Sequence, residues 1–161
     1  MKSNFTIEEI SKEQDEAVCQ IIKKVGAEHG AVGEGFGPSD PEVLCMSEYY
    51  GNKKSIYLVA VKDGHILGGS GIAEFNNSNS ICELKKLFLL KEGRGLGIGK
   101  KLTEKCLAFA ISEGYKQCYL DTLSGMKSAI ALYEKFGFHH LEQPLIGTIH
   151  NGCDVWMLKK F

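Results

Sequence analysis

The sequence predicts a domain of the mixed α/β class, in which one sheet carries helices on both faces. An early β-hairpin is indicated by two apolar β-type runs that meet at Lys62-Asp63-Gly64, because an Asp-Gly pair favours a tight turn. Later in the chain strand and helix patterns alternate, which is typical of β-α-β units. The 161 residues suit a single domain over 1–161, since no repeat or linker divides them.

The elements before the hairpin are a strand, two helices and a loop. A short strand is expected over residues 4–7, and four glycines within 30–37 indicate a mobile loop. A second helix is expected over 41–50, because Pro41 suits a first helical position. The first helix ends near Gly26, and its predicted apolar face comprises Ala17, Val18, Ile21, Ile22 and Val25.

Strands and helices alternate in the second half of the chain. The strands are expected over residues 81–90, 117–122, 138–141 and 153–159. One helix begins after a glycine-rich loop and ends at Gly114, and a shorter helix ends near Gly137. The apolar face of the helix that ends at Gly114 comprises Ile98, Leu102, Cys106, Phe109 and Ala110. That of the shorter helix comprises Met126, Ala129, Ile130 and Tyr133.

The overall charge and the cysteines exclude several classes of protein. A formal net charge of −1 gives no basic field, which disfavours a nucleic-acid binder and a protein that binds membrane surfaces. The first residues lack the apolar core of a signal peptide and no apolar run reaches 18 residues, so we expect a cytoplasmic protein. The six cysteines stand singly, which favours reduced thiols over disulfides or a zinc site.

A strand runs into a glycine-rich loop and then directly into a helix within ICELKKLFLLKEGRGLGIGKKL. Glycines let backbone amides close around an anion, and a helix N-terminus favours negative charge, so this order predicts phosphate binding. The spacing fits neither a Walker A loop nor the G-x-G-x-x-G fingerprint of dinucleotide-binding domains. Six of the nineteen lysines and arginines lie within residues 85–101, which suits a small ligand with several phosphates.

The R-x-x-G-x-G pattern of Arg94, Gly97 and Gly99, followed downstream by ALYEKFGF, resembles the GNAT superfamily of acetyl-CoA-dependent N-acetyltransferases. The resemblance covers roughly residues 55–140, and the final segment GTIHNGCDVWMLKKF is similar to a subgroup of small bacterial members. It implies a GNAT-like domain with a central mixed, mostly antiparallel sheet. It also implies that acetyl-CoA is the cofactor and that the acceptor amine attacks the thioester directly.

The resemblance further implies which residues hold coenzyme A. Backbone groups of the central strand would hold the acetyl carbonyl and the pantetheine arm, and backbone amides of the glycine-rich loop would hold the pyrophosphate. Met126 stands where many members carry an Asn that contacts the cofactor, so that contact is not transferred. The residues assigned to the cofactor are Leu87, Phe88, Leu89, Arg94, Gly95, Leu96, Gly97, Ile98, Gly99 and Lys100.

Two residues are assigned to catalysis. Tyr133 stands at the family's general-acid position, although a residue on the apolar face of a helix also suits the core. Glu83 is the candidate base, directly or through water, because a carboxylate within a central strand is costly to bury without a partner. An ion pair with a neighbouring lysine is the alternative for Glu83.

Four residues are candidates for the acceptor site. Asp121 and Thr122 end a strand on the side where ligands collect in open α/β folds, and Asp121 alternatively caps a helix or a turn. His150 and Trp156 lie in the subgroup-like final segment, with an ordinary loop position as the alternative for His150. No histidines and cysteines have metal-ligand spacing, so no metal is expected.

The leading function is transfer of the acetyl group of acetyl-CoA to a primary amine of a small molecule. Acetylation of a lysine or an N-terminal amine of a protein is the second hypothesis, and a sensor that binds acyl-CoA without turnover is the third. The sequence does not determine the identity of the acceptor or the role of the loop over 30–37. It also does not determine the oligomeric state, for which a homodimer is one option.

Overall fold

Seven strands form one sheet at the centre of the protein, in a computed structural model that describes residues 4–31, 33, 35–52 and 54–161. The strands are β1 (Thr6–Glu9), β2 (Ile56–Lys62), β3 (His65–Glu74), β4 (Ile81–Leu89), β5 (Gln117–Thr122), β6 (His139–Leu141) and β7 (Val155–Lys160). Their order across the sheet is β1-β2-β3-β4-β5-β7-β6. β4 and β5 run parallel and the other neighbouring pairs antiparallel, which confirms the predicted mixed, mostly antiparallel sheet.

Helices cover both faces of this sheet, as predicted. They are α1 (Asp15–Glu28), α2 (Met46–Tyr49), α3 (Ile98–Ser112) and α4 (Lys127–Lys135). Alternate residues of β2 point to opposite faces: Leu58 packs in a cluster with Leu102 of α3, and Val59 packs in another with Ile22 and Val25 of α1. Burial of an aliphatic side chain of this kind contributes roughly 1.5–3 kcal/mol, so both faces hold their helices firmly.

Several predicted elements have different bounds in the structure. The helix expected over 41–50 is a 3-10 turn at Pro41–Leu44 followed by the short α2, with a break at Cys45. Val43 and Met46 are both buried, and their i, i+3 spacing fits a 3-10 turn as well as an α-helix, so the pattern could not separate the two. The first strand begins at residue 6 rather than 4, and Ala17 is exposed on α1.

The six cysteines form no disulfide in the structure, and Cys19, Cys82, Cys106 and Cys118 are buried. Within the described ranges, none of the helices combines the length and the hydropathy that a bilayer span requires. Of the predicted glycine-rich loop over 30–37, Val32 and Glu34 lie outside the described residues.

Candidate active site

A β-bulge interrupts β4 near the middle of the sheet. Lys86 and Leu87 together oppose a single residue of β3, and Lys86 has a φ of 58°, which L-residues rarely adopt. The Tyr57 hydroxyl donates a hydrogen bond of 2.8 Å to the Lys86 carbonyl oxygen and stabilises this backbone. The bulge brings the ammonium groups of Lys85 and Lys86 to the same face of the sheet, where both are buried.

A groove opens where β4 and β5 separate. The two strands pair over 81–83 and 117–119, and the pairing ends there. The groove has a volume of about 460 Å³ and lies between the far end of β4, the glycine-rich loop and the start of α4. A groove of this volume leaves room for a ligand arm beside the part of β4 that no longer pairs with β5.

The glycine-rich loop forms the rim of the groove. Gly97 has a φ of 82° and directly precedes α3, whose first-turn amides have no carbonyl acceptor within the helix. The Arg94 guanidinium donates hydrogen bonds to Glu28 Oε2 at 2.9 Å and to the Leu89 carbonyl at 3.1 Å. Arg94 therefore ties the loop to the end of α1 and to β4, an arrangement that favours shaping of the loop.

Most residues assigned to the cofactor line this groove. Three have side chains elsewhere: Phe88 packs against α1, Ile98 is buried under α3, and Leu96 faces a separate surface groove beside β1. Lys127 and Ser128, at the start of α4, also line the groove and were missed, since nothing local in the sequence shows which loop they face. The predicted residues that line it are Leu87, Leu89, Arg94, Gly95, Gly97, Gly99 and Lys100.

Replacement of Gly97 with Ala is expected to weaken binding of coenzyme A about tenfold or more. A Cβ at a φ of 82° costs roughly 1–2 kcal/mol, and relief of that strain would move the amides of the loop. Isothermal titration with coenzyme A measures the effect. Gly114→Ala is a matched control, because Gly114 has a φ of 89° and equally open surroundings but lies at the far end of α3. Equal affinity in the two variants would contradict the prediction.

A second cavity, of about 80 Å³, lies on the other side of the bulge. Trp156 does not line it: it pairs with Asp121 across the sheet but packs in an apolar cluster with Tyr119 and Leu158. The structure therefore brings together the two catalytic candidates and three of the four acceptor candidates. The predicted residues that line this cavity are Glu83, Asp121, Thr122, Tyr133 and His150.

A cluster of largely buried charges borders this cavity. Lys85 Nζ lies 2.8 Å from Glu42 Oε1, and Tyr50 donates a short hydrogen bond to the same carboxylate. Lys86 Nζ lies 2.6 Å from Asp40 Oδ2. We call this set the buried charge cluster, and its members are Asp40, Glu42, Glu83, Lys85, Lys86, Asp121 and His150.

His150 joins two carboxylates of the buried charge cluster. Its Nδ1 lies 2.8 Å from Asp121 Oδ1, and its Nε2 lies 2.6 Å from Asp40 Oδ2. Burial disfavours a charge here, but these hydrogen bonds outweigh it and raise the pKa of His150 to about 9. Because carboxylates only accept hydrogen bonds, both ring nitrogens carry hydrogen and His150 is an imidazolium ion. His150 has no ring nitrogen left to offer to a substrate.

Glu83 is the one carboxyl group of the buried charge cluster for which the described residues show no hydrogen bond. Its Oε2 lies 3.6 Å from His150 Nδ1, which is directed at Asp121. Burial raises the pKa of Glu83 to about 7, against the opposing charge of Lys85 and with a contribution from the nearby Asp121. Glu83 therefore changes protonation near neutral pH, as a proton acceptor should.

Two loops meet over the small cavity. His150, between β6 and β7, contacts Asp40 across 110 residues of sequence. The Gly152 amide donates a hydrogen bond of 2.9 Å to the Gly35 carbonyl, and the Phe36 ring lies against Gly152. The loop that the sequence left without a role thus forms part of the wall of the cavity.

Glu83, Asp121 and His150 have ligand atoms within 4.8 Å of one another, which is the spacing of a metal site. A metal ligand must be a neutral imidazole, however, and His150 has both nitrogens engaged as donors. The hydrogen bonds of His150 therefore favour an ion-pair cluster over a metal centre at this place.

The basic patch predicted over residues 85–101 needs correction. Lys85 and Lys86 are buried and paired with carboxylates, so they do not face a phosphate ligand. Their partners Asp40 and Glu42 belong to the buried charge cluster, and the sequence did not indicate them. Two consecutive lysines in a buried strand were the available signal, because a regular strand would direct one of them into each face.

Comparisons with known proteins agree with this geometry. Residues 25–138 match the model of the "Acetyltransferase (GNAT) family". An uncharacterized N-acetyltransferase of Escherichia coli, YjgM, is 37% identical over 153 residues, which are 94% of this chain and 92% of that protein.

Solved structures share the fold. A GNAT-family acetyltransferase from Staphylococcus aureus Mu50 has a TM-score of 0.82 at 22% identity, over 98% of this chain and 99% of the other. The yncA protein of Salmonella typhimurium, a structure described as containing its cofactor acetyl-CoA, has a TM-score of 0.78 at 20% identity, over 98% and 94% of the two chains. Together these findings confirm the predicted fold, enzyme class and acetyl-CoA cofactor: the chain belongs to the GNAT family of acetyltransferases.

Proposed function

We propose that the protein transfers the acetyl group of acetyl-CoA to a primary amine of a small molecule, and that the amine attacks the thioester directly. The observation that carries this proposal is the balance of the buried charge cluster. Its three cations face four carboxyl groups, and Glu83, the carboxyl group without a hydrogen bond, faces the cavity. When Glu83 is ionised, an acceptor that enters as an ammonium ion supplies the missing positive charge, whereas an anionic acceptor would add to the imbalance.

The size of the cavity supports a small acceptor. A volume of about 80 Å³ is well below the roughly 300–1,000 Å³ of sites for drug-sized ligands, so it suits an amine head and a few carbon atoms. The contacts of His150 with Asp40 and of Gly152 with Gly35 join two loops at this end of the site. A protein or peptide acceptor would need an open groove in the same place.

In the proposed reaction Glu83 accepts a proton from the acceptor amine, directly or through a water molecule. The backbone of Leu87, Phe88 and Leu89 holds the acetyl carbonyl, because the pairing of β4 with β5 ends at Glu83 and leaves that edge available. An N–H donor to an oxygen that gains negative charge can contribute roughly 3 kcal/mol.

Tyr133 donates a proton to the departing thiolate. Its ring is buried beside Phe138 and the residue lines the small cavity. Burial raises the pKa of the phenol, so Tyr133 keeps its proton until a strong base is formed. A thiolate in the same apolar surroundings is a stronger base than in water, which makes the transfer feasible.

Acetyl-CoA supplies the activated acetyl group. The glycine-rich loop would hold its pyrophosphate through backbone amides, and Lys100 and Lys127 on the rim would add positive charge. The fold neighbour yncA, described as containing acetyl-CoA, supports this assignment.

We place the reaction in the cytoplasm, in keeping with six free cysteines. The proposal holds for a monomer or a homodimer, since all its residues come from one chain.

A screen of amines tests the proposal. Purified protein with acetyl-CoA is expected to release coenzyme A in the presence of at least one amino acid, polyamine or aminoglycoside, and to prefer it to lysine-containing peptides. Because the protein has six free cysteines, coenzyme A is measured by chromatography rather than with a thiol reagent. Release no faster than hydrolysis across the panel, or a clear preference for peptides, would reject a small-molecule acetyltransferase.

The variant Tyr133→Phe separates an enzyme from an acyl-CoA sensor. With the best acceptor of the screen, kcat is expected to fall at least about tenfold while the Kd for acetyl-CoA is unchanged. A wild-type protein that binds acetyl-CoA tightly but turns over no acceptor would instead support the sensor.

A further inference from the structure

The small cavity and the groove meet at three residues. His29, Leu87 and Met126 line both of them, and His29 is the one of the three with a titratable side chain. Direct attack joins an acceptor nitrogen, held in the cavity, to a thioester carbon, held in the groove. The junction is therefore where the proton-transfer groups of the reaction are needed.

The position of His29 is fixed by the end of α1. Its Nδ1 lies 3.1 Å from the Val25 carbonyl oxygen, four residues earlier on the helix. The end of this helix is in turn tied to the glycine-rich loop by the ion pair of Glu28 with Arg94, at 2.9 Å. Movement of the loop on cofactor binding would thus be transmitted to the residue next to His29.

The hydrogen bond of His29 also defines its tautomer. A carbonyl oxygen only accepts, so Nδ1 carries the hydrogen and the lone pair of a neutral ring lies on Nε2. Within the described ranges Nε2 has no recorded partner. His150 differs in this respect, because both of its ring nitrogens donate to carboxylates and it cannot accept a proton.

Acetylation removes two protons from an acceptor that enters as an ammonium ion, so a second proton acceptor is needed beside Glu83 when both protons leave within the site. An acceptor that enters as R–NH₃⁺ loses two protons before it becomes the amide R–NH–CO–CH₃. Glu83 takes one of them in the proposed function and cannot take a second in the same turnover. The bond from nitrogen to the acetyl carbon forms and places negative charge on the carbonyl oxygen; the bond from carbon to sulfur then breaks, and the thiolate takes its proton from Tyr133.

We infer that His29 is a further catalytic residue, which accepts the second proton of the amine on Nε2 as the nitrogen–carbon bond forms. This inference rests on the proposed function. His29 and Glu83 each release one proton and Tyr133 regains one, so a turnover yields the amide, coenzyme A and one proton released to solvent.

Nuclear magnetic resonance tests whether His29 lies next to bound acetyl-CoA, and it does so without turnover. Long-range ¹H–¹⁵N spectra resolve the five imidazole rings, and His29→Gln assigns the signals of His29. Addition of acetyl-CoA is expected to shift the His29 signals and to leave those of His139, an exposed residue of β6, unchanged. Signals of His29 that do not move at saturating acetyl-CoA would overturn the inference, whether or not an acceptor is known.

Kinetics with the best acceptor of the amine screen test the chemical role. His29→Gln is expected to lower kcat about tenfold or more, with a change of less than about twofold in the KM for acetyl-CoA, and His139→Gln to change neither. Added imidazole is expected to restore at least part of the activity of His29→Ala. An unchanged kcat in His29→Gln would show that His29 only positions the helix end. The same conclusion would follow if kcat/KM fell only through a higher KM and added imidazole did not restore it.

Discussion

Replacement of Glu83 with Gln is expected to lower kcat about a hundredfold and, at the same time, to stabilise the protein above neutral pH. The loss of activity follows because an amide cannot accept the proton of the acceptor amine, and general-base catalysis contributes roughly 10²–10⁴. Kinetics with saturating acetyl-CoA and the best amine of the screen measure the first effect. Urea denaturation at pH 8.5 measures the second.

The gain in stability follows from the pKa of Glu83. Burial raises it from 4.5 to about 7, so the folded protein binds this proton more tightly than the unfolded chain. Stability from this group is present below pH 4.5 and is lost as the pH rises through 7. The loss amounts to about 3 kcal/mol at 1.36 kcal/mol per pKa unit, and a neutral Gln avoids it. If Glu83 is the proposed base, its burial lowers the stability of the fold and in return gives a base with a pKa near 7.

Glu142→Gln is the matched control, because Glu142 is exposed in the loop after β6 and should change neither quantity. The Kd for coenzyme A should also be the same in Glu83→Gln and the wild type, since Glu83 does not line the groove. A kcat that survives the substitution would remove Glu83 from the chemistry. A loss of activity that is matched by weaker cofactor binding would make its role structural.

The strand, loop and helix that border the proposed cofactor groove could be predicted from the sequence because their signals are local. A strand, a glycine-rich loop and a helix N-terminus follow one another within residues 81–112, and left-handed backbone at Gly95 and Gly97 accounts for two of the glycines. Each of these features depends on neighbours along the chain, so propensity and spacing determine them. The role of Arg94 was less accessible, because its partner Glu28 is 66 residues away.

The buried charge cluster beside the small cavity could be predicted only in part, because the contacts that build it are distant in sequence. Glu83, Asp121 and His150 were identified singly, yet Asp40, which fixes His150, precedes it by 110 residues. The bulge at Lys86 also reverses the direction that strand alternation assigns to the following side chains. The two lysines were predicted to bind phosphate because they lie among the six cations of residues 85–101, although they neutralise buried carboxylates.

Removal of the charge on His150 is expected to destabilise the protein in a manner that depends on pH. Its pKa of about 9 lies above the ordinary value of 6.5, so the folded protein holds the proton more tightly. The resulting stability of about 3 kcal/mol is fully present below pH 6.5 and is lost as the pH rises through 9. His150→Gln should therefore cost about 3 kcal/mol at pH 6 and much less at pH 9.5, as measured by urea denaturation.

The effect of His150→Gln on stability is measured in the Glu83→Gln background, by comparing Glu83→Gln with the double variant Glu83→Gln/His150→Gln. In the wild type the titration of Glu83 would overlap with that of His150. Cysteine and lysine titrations are common to both proteins and cancel in the difference. His140→Gln is the control: its ring lies 3.8 Å from Glu134 in an exposed pair, which should contribute less than about 1 kcal/mol. A cost of His150→Gln that is the same at both pH values would mean that the ring stabilises the two loops by its shape alone, and that Asp40 and Asp121 do not require its charge.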